Sequence, residues 1–263
     1  TTMRDLLNDL SDGLTHPDPA RRAQIQMQKP LPKRFYKDVS LEAGEEGHAV
    51  LLDGRPVRTP AKRPLRLPTA ALGELVAREW AAQQENIDPG TMPVTRLVNT
   101  AIDGIADEKQ AVFEDILRYT SNDLLCYRAG DPEGLVLRQT EEWDPVLDWA
   151  AESAGARFIL IEGVIHQEQP KAAIDALGVV LRKYDTPIEL ACLHTVTTLT
   201  GSGILAIAFA EGAFSLERIW SIAHLEEDWT IEHWGSDEEA EKRRALRYAE
   251  IAAAAEAFAA ARA

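Results

Sequence analysis

The residues best spaced for chemistry lie between Ser215 and Arg244. On a helix, His224, Glu227 and Asp228 stand at i, i+3 and i+4 and share one face, so they could touch a single divalent cation. A di-metal helical bundle needs Glu-x-x-His on two helices with further glutamates; here the order is reversed and unrepeated. The other histidines, His16, His48, His166, His194 and His233, are scattered. His194 sits in an apolar helical stretch and reads as a hydrogen-bonded core residue. Ser202, between two glycines, resembles a nucleophile loop, but it joins two helices and has no identifiable base. The sequence carries no GxxxxGK[ST], GxGxxG or GxSxG, and so none of the standard phosphate-cradling or hydrolase loops. Cys126 and Cys192 lie among apolar residues, in neither a CxxC nor a metal-spaced pair, and read as buried thiols of a reducing compartment. Arg55, Arg58, Arg63 and Arg66 form a local basic patch, either solvated or facing an acidic partner.

The element that must position the first group is SLERIWSIAHLEEDWTIEHWG. Ser215 is a good N-cap, and the spacing predicts one helix running on to Trp234. Leu216, Ile219, Trp220 and Ala223 make one apolar stripe; Ile222, Leu225 and Trp229 make a second. Gly235 suits a left-handed end, and Ser236-x-x-Glu239 is a capping box that restarts the chain as a helix. A helix apolar on two sides is mostly buried, yet its stripes run into Glu226, Glu227 and Glu232, flanked by Trp220, Trp229 and Trp234. Two readings follow: carboxylates that reach solvent or pair with arginine, or a protein-binding surface, since tryptophan beside charge is the composition of interface anchors.

Upstream, residues 1–32 are rich in proline and polar residues and read as a mobile arm with a short helix at 3–10. Arg34–Val39 alternates as a strand. AVLLDGRPVRT, residues 49–59, reads as a hairpin turning on Asp53-Gly54, and 65–67 as a short strand. Thr69 caps a helix, and Pro93 opens another that Gly104 closes. From Asp107 onward nearly everything is helical. Asp107-x-x-Gln110 and Thr186-Pro187-Ile188-Glu189 are capping boxes, Asp144-Pro145 restarts a helix, 157–161 is a short extended piece, and Pro170 opens a helix. ILAIAFA is apolar all round and belongs at the centre of a core. The predicted fold class is α+β: a small N-terminal antiparallel sheet-plus-helix domain over 33–106, then a larger all-helical domain over 107–263.

The 263 residues, 45% hydrophobic and 27% charged, can bury a sizeable core. A formal charge of -15 excludes generic nucleic-acid binding, which needs a basic face, and favours a solvated monomer. No apolar run is long enough to insert in a membrane.

RFYKDV, LDGRPVRTP, MPVTRLVNTAID, DLLCYRA, EEWDPVLDW and HWGSDEEAEKRR occur in this order. Together they make the chain resemble, over about residues 33–250, the ATP synthase F1 assembly chaperones that act on the alpha subunit (assembly factor 2). The resemblance implies a protein that is not an enzyme and uses no cofactor. It would bind the unassembled alpha subunit and prevent its aggregation until beta subunits replace it, without ATP. It also implies a client-contact glutamate just before a Trp-Gly motif, here Glu232 before Trp234-Gly235. Glu226, Glu227, Trp234 and Asp237 beside it complete the client-binding candidates. The absence of presequence character at the start, and the Arg- and Ala-rich usage, suit a bacterial cytoplasmic member; the eukaryotic relatives act in the mitochondrial matrix. The competing reading is a small-molecule or metal-dependent enzyme built on His224, Glu227 and Asp228.

Overall fold

The computed structural model describes residues 31–162 and 167–263. The predicted arm, up to residue 30, and His166 lie outside the described residues. The chain divides into two compact units: one runs up to Asp107 and also takes Glu256–Ala263, the other is Glu108–Ala255. Residues 256–263, which the sequence grouping places in the helical domain, pack with the first unit instead.

In the first unit β1 (Val39–Gly44) pairs antiparallel with β2 (Gly47–Leu52), from Val39 opposite Leu52 to Gly44 opposite Gly47. The short strands β3 (Arg55–Pro56) and β4 (Arg66–Leu67) both add to β2. Asp53 (φ 48°) and Gly54 (φ 76°) form the predicted two-residue turn between β2 and β3. The Asp53 carboxylate accepts from the amides of Lys37 and Asp38, 3.1 and 2.8 Å, and these bonds hold its pKa below the usual value. Arg34–Asp38 is not the strand its alternation suggests. Isolated main-chain bonds at its ends, Arg34 N to Glu85 O at 2.9 Å and Asp53 N to Asp38 O at 3.0 Å, are joined by side chains: the Tyr36 hydroxyl donates to Trp80 O at 2.7 Å, and the Arg34 guanidinium donates to the carbonyls of Tyr36, Lys37 and Gln83.

Helix α1 (Ala70–Ala82), capped by Thr69, lies close on the sheet through Gly73, where an added Cβ would meet Leu41 Cδ1 at 2.6 Å. Helix α2 (Pro93–Asp103) opens on the predicted proline. It takes its cap from another helix: Glu79 of α1 accepts from the amides of Val94 and Thr95, both at 2.7 Å. Desolvation raises the Glu79 pKa against those bonds. Asp107 does not cap the following helix; its carboxylate pairs with Arg63 at 2.6 Å. Arg63 is thereby taken out of the basic patch.

The second unit contains α3 (Lys109–Ser121), α4 (Glu133–Ala154), α5 (Lys171–Leu181), α6 (Pro187–Thr200), α7 (Gly203–Ala210), α8 (Leu216–Ala223), α9 (Leu225–Trp234) and most of α10 (Glu238–Ala261). One exception to the all-helical expectation is a parallel pairing of β5 (Tyr127–Arg128) with β6 (Ile161–Glu162). Helix α7 is central: Gly203 to Ala208 are all buried, and at Gly203 a Cβ would stand 2.7 Å from Ile116 O of α3. Ser202 caps α7 by accepting from Leu205 N at 2.9 Å, which gives the glycine-flanked serine a structural role. The Thr186 capping box has both of its bonds. Cys126 and Cys192 are free and buried, and burial pushes the Cys126 thiol up to about 12. Pro145 does not start a helix. It lies inside α4, which begins twelve residues earlier, at Glu133, and runs through it. Among the described residues no helix is long and apolar enough to cross a membrane.

Candidate functional site

The stretch predicted as one helix is two. Helix α8 starts on Ser215, whose hydroxyl accepts from Arg218 N at 3.3 Å, and stops at His224, where the backbone leaves helical geometry (φ -108°, ψ 19°). The imidazole folds back over the preceding turn at this point. Its Nδ1 donates to Trp220 O at 2.9 Å, the carbonyl to which the His224 amide also donates, and its ring lies on the Trp220 indole with centroids 3.7 Å apart. Helix α9 then runs to Gly235, which ends it at the expected position but with φ 80° and ψ 174°, a glycine conformation outside the expected left-handed helical region. The next cap is shifted by one residue: Asp237, not Ser236, accepts from Ala240 N at 2.8 Å and starts α10.

Every carboxylate of α9 has a partner. Glu226 accepts from Gln139 Nε2 at 2.7 Å, and Glu227 accepts from Arg247 Nη2 through both oxygens, at 2.9 and 3.1 Å. Asp228 pairs with Arg244 at 2.5 Å, and Glu232 with Arg138 at 2.7 Å. Arg138 holds the Glu232 pKa below the usual carboxylate range. Apolar groups stand in the open beside these pairs: Trp234 is 77% exposed and Leu246 of α10 68%. Trp229 stacks on His233, centroids 4.2 Å apart, and the His233 ring lies 5.7 Å from that of Trp234. Leu246 also lines an open cavity of about 390 Å³ with Glu227, Ala240, Arg243 and Arg247.

This arrangement does not suit a metal. Glu227 and Asp228 are neutralised by Arg247 and Arg244, and the buried His224 spends Nδ1 on a main-chain carbonyl. Burial lowers the His224 pKa, which favours the neutral ring. Among the described residues no group of three metal-ligating side chains forms. His194, the other histidine singled out, makes a 2.8 Å contact with Asp115 through Nε2, far from this cluster in sequence.

The predicted contact residues thus divide by role. Glu226, Glu227 and Glu232 share one helix and are each held by a residue of α4 or α10, Trp234 closes that helix with its indole in the open, and Asp237 is an exposed cap. Reading the sequence missed Gln139, Arg138, Arg244 and Arg247. Arg138 lies 94 residues from Glu232, and nothing local marks it.

Residues 33–151 match the family described as ATP12 chaperone protein. The structure of Atp12 from Paracoccus denitrificans is similar over 88% of this chain and 98% of that one, with a TM-score of 0.81 and 41% identity. The chain belongs to the ATP12 chaperone family. The structure of the Atu1473 protein from Agrobacterium tumefaciens is similar with a TM-score of 0.87 and 65% identity, over 98% of this chain and 97% of that one. The mitochondrial protein atp12 of Schizosaccharomyces pombe is 22% identical over 231 residues, 83% of this chain and 79% of its own length. The ATP12 match ends within α4, whereas the similarity to the Paracoccus structure extends over most of the chain. A small antiparallel sheet followed by many helices is therefore an architecture this chain shares with Atp12.

Proposed function

We propose that this chain is an assembly chaperone for the F1 part of ATP synthase. It holds the unassembled alpha subunit through α9 and the start of α10 and releases it, without ATP, when beta subunits compete for the same surface. It acts as a monomer in a bacterial cytoplasm. Family membership supports the chaperone role. The observation that carries the placement is Trp234: a large indole left 77% exposed at the end of a helix lined with ordered charges. Exposed tryptophan beside fixed charge is what a protein-binding anchor looks like, and a lone subunit's exposed interface is the apolar surface such an anchor suits. Release needs no nucleotide if the final partner binds more tightly, since the client then passes to it by competition.

The test is a refolding assay. Chaperone at equimolar or higher concentration should suppress the light scattering of alpha refolding from denaturant, should leave that of beta unchanged, and should need no ATP. Equal protection of beta, or a requirement for ATP, overturns the proposal.

A further inference from the structure

One side of α4 is committed to α8 and to α9, the helix that ends in the exposed tryptophan. Gly134 lies under the Trp229 ring, where a Cβ would stand 2.8 Å from Cη2. Arg138 pairs with Glu232 at 2.7 Å, Glu142 pairs with Arg218, and Trp143 Nε1 donates to Ile222 O at 2.9 Å. Gln139 is the least expected member, because it is polar and only 1% exposed. Its Oε1 accepts from Ala129 N at 2.9 Å, and its Nε2 donates to Glu226 Oε1 at 2.7 Å. A primary amide can accept from a main-chain N–H and donate to a carboxylate at once; an ionised glutamate cannot donate, and leucine does neither. The bond to Ala129 fixes which way the amide points, so Glu226 meets a donor.

We infer that Gln139 is a positioning residue for client recognition, which rests on the reading that α9 carries the client contacts. Gln139 fixes the first turn of α9 through Glu226, and Arg138 fixes its last turn through Glu232. Together they hold the row of carboxylates and Trp234 in the one arrangement the client meets. Neither needs to touch the client.

Amide hydrogen exchange on the full chain reads this without the client. In Gln139→Leu, exchange over Leu225–Trp234 should rise about tenfold, because local opening there loses a half-buried, charge-assisted bond, while α6 and α7 keep their protection. Unchanged α9 exchange, or an equal rise everywhere, overturns the inference. Where Gln139→Leu does not fold, Gln139→Glu sets two carboxylates together and should unpin α9. Adding Glu226→Gln restores both hydrogen bonds with the partners exchanged, and should restore protection; no rescue overturns the inference. Titration with alpha subunit separates the two layers. Gln139→Leu and Arg138→Met should each weaken binding about tenfold. If Glu232→Lys abolishes binding while those two bind normally, the positioning role fails alone. If Glu232→Lys, Glu226→Lys, Glu227→Lys and Trp234→Ala all bind normally as well, the reading of α9 as the client face fails with it.

Discussion

Asp123 is a carboxylate with no solvent to itself. It is fully buried, and it accepts from Leu125 N at 3.2 Å and Ile204 N at 3.0 Å, tying the turn after α3 to the start of the central helix α7. Desolvation outweighs these bonds and holds its pKa up at about 7. An unfolded aspartate titrates near ~3.9, so between about pH 4 and 7 the folded state keeps a proton that the unfolded state has lost. The Asp123 contribution to stability therefore falls as pH rises through that window and is flat above it. Urea midpoints measured from pH 4 to 8 should show this fall, and Asp123→Asn should remove it. The variant should also cost about 1–3 kcal/mol at pH 5, because an amide presents only one acceptor oxygen to the two backbone donors. A midpoint curve of unchanged shape in Asp123→Asn would assign the slope to other groups. Glu232 is the opposite kind of carboxylate, 52% exposed and paired across the surface with Arg138. A glutamate so near a helix C-terminus works against the macrodipole, and Arg138 is the compensation that the sequence alone does not display. Exposed pairs contribute little to stability, so Glu232→Lys should melt close to the parent while losing alpha-subunit binding. A normal titration of that variant would remove Glu232 from the contact, leaving Glu226, Glu227 and Asp237 to test.

Elements set by local chemistry were legible; those set by distant partners were not. Thr69, Thr186 and Ser215 cap where expected, and Asp53-Gly54 turns where expected, because a cap or tight turn needs only the next few residues. The helix break at His224 escaped notice because the apolar stripes continue through it, while the imidazole folds back on Trp220. Asp107 and Ser236 have the spacing of capping boxes but are used otherwise: Asp107 by Arg63, Ser236 by a bond to Glu241 that leaves the cap to Asp237. In the candidate site the acidic residues and tryptophans were legible on α9, whereas Gln139, Arg138, Arg244 and Arg247 reach it from other helices. Two glycines of the sheet make the distinction measurable. Gly54 (φ 76°) has nothing within 4 Å of an added Cβ, whereas at Gly47 (φ 103°) a Cβ would sit 2.5 Å from Leu67 O of β4. Gly54→Ala should therefore cost only the left-handed strain, about 1–2 kcal/mol. Gly47→Ala should cost more, because it adds a clash with a main-chain oxygen of β4, the strand paired to β2. Equal unfolding midpoints for the two variants would show that β4 yields freely.

At the scale of the whole chain, the first unit is not finished when the chain leaves it. The chain enters the second unit at Glu108 and rejoins the first at Glu256, inside the single helix α10. Within the first unit, Ala257 and Phe258 of this returning end are buried, and the Thr69 hydroxyl, which also caps α1, donates to Ala260 O at 2.6 Å. The alanine-rich composition of the tail explains why it is helical, since alanine has the highest helix propensity, but it says nothing of what the tail packs on. Phe258 supplies that. Burying a phenylalanine and then truncating it to alanine typically costs about 3–5 kcal/mol, a large share of the ~5–15 kcal/mol that keeps a domain folded. Phe258→Ala, or a chain ended after Ala255, should therefore destabilise the first unit even though it removes nothing from the chain before Asp107. Hydrogen exchange locates the damage: protection of β2 and α1 should fall by orders of magnitude, while that of α6 and α7 stays near the parent level. Removing only Arg262 and Ala263, both exposed, should do neither. If the longer truncation left β2 and α1 fully protected, the first unit would be complete by Asp107, and residues 256–263 would be a helical extension with no part in its core.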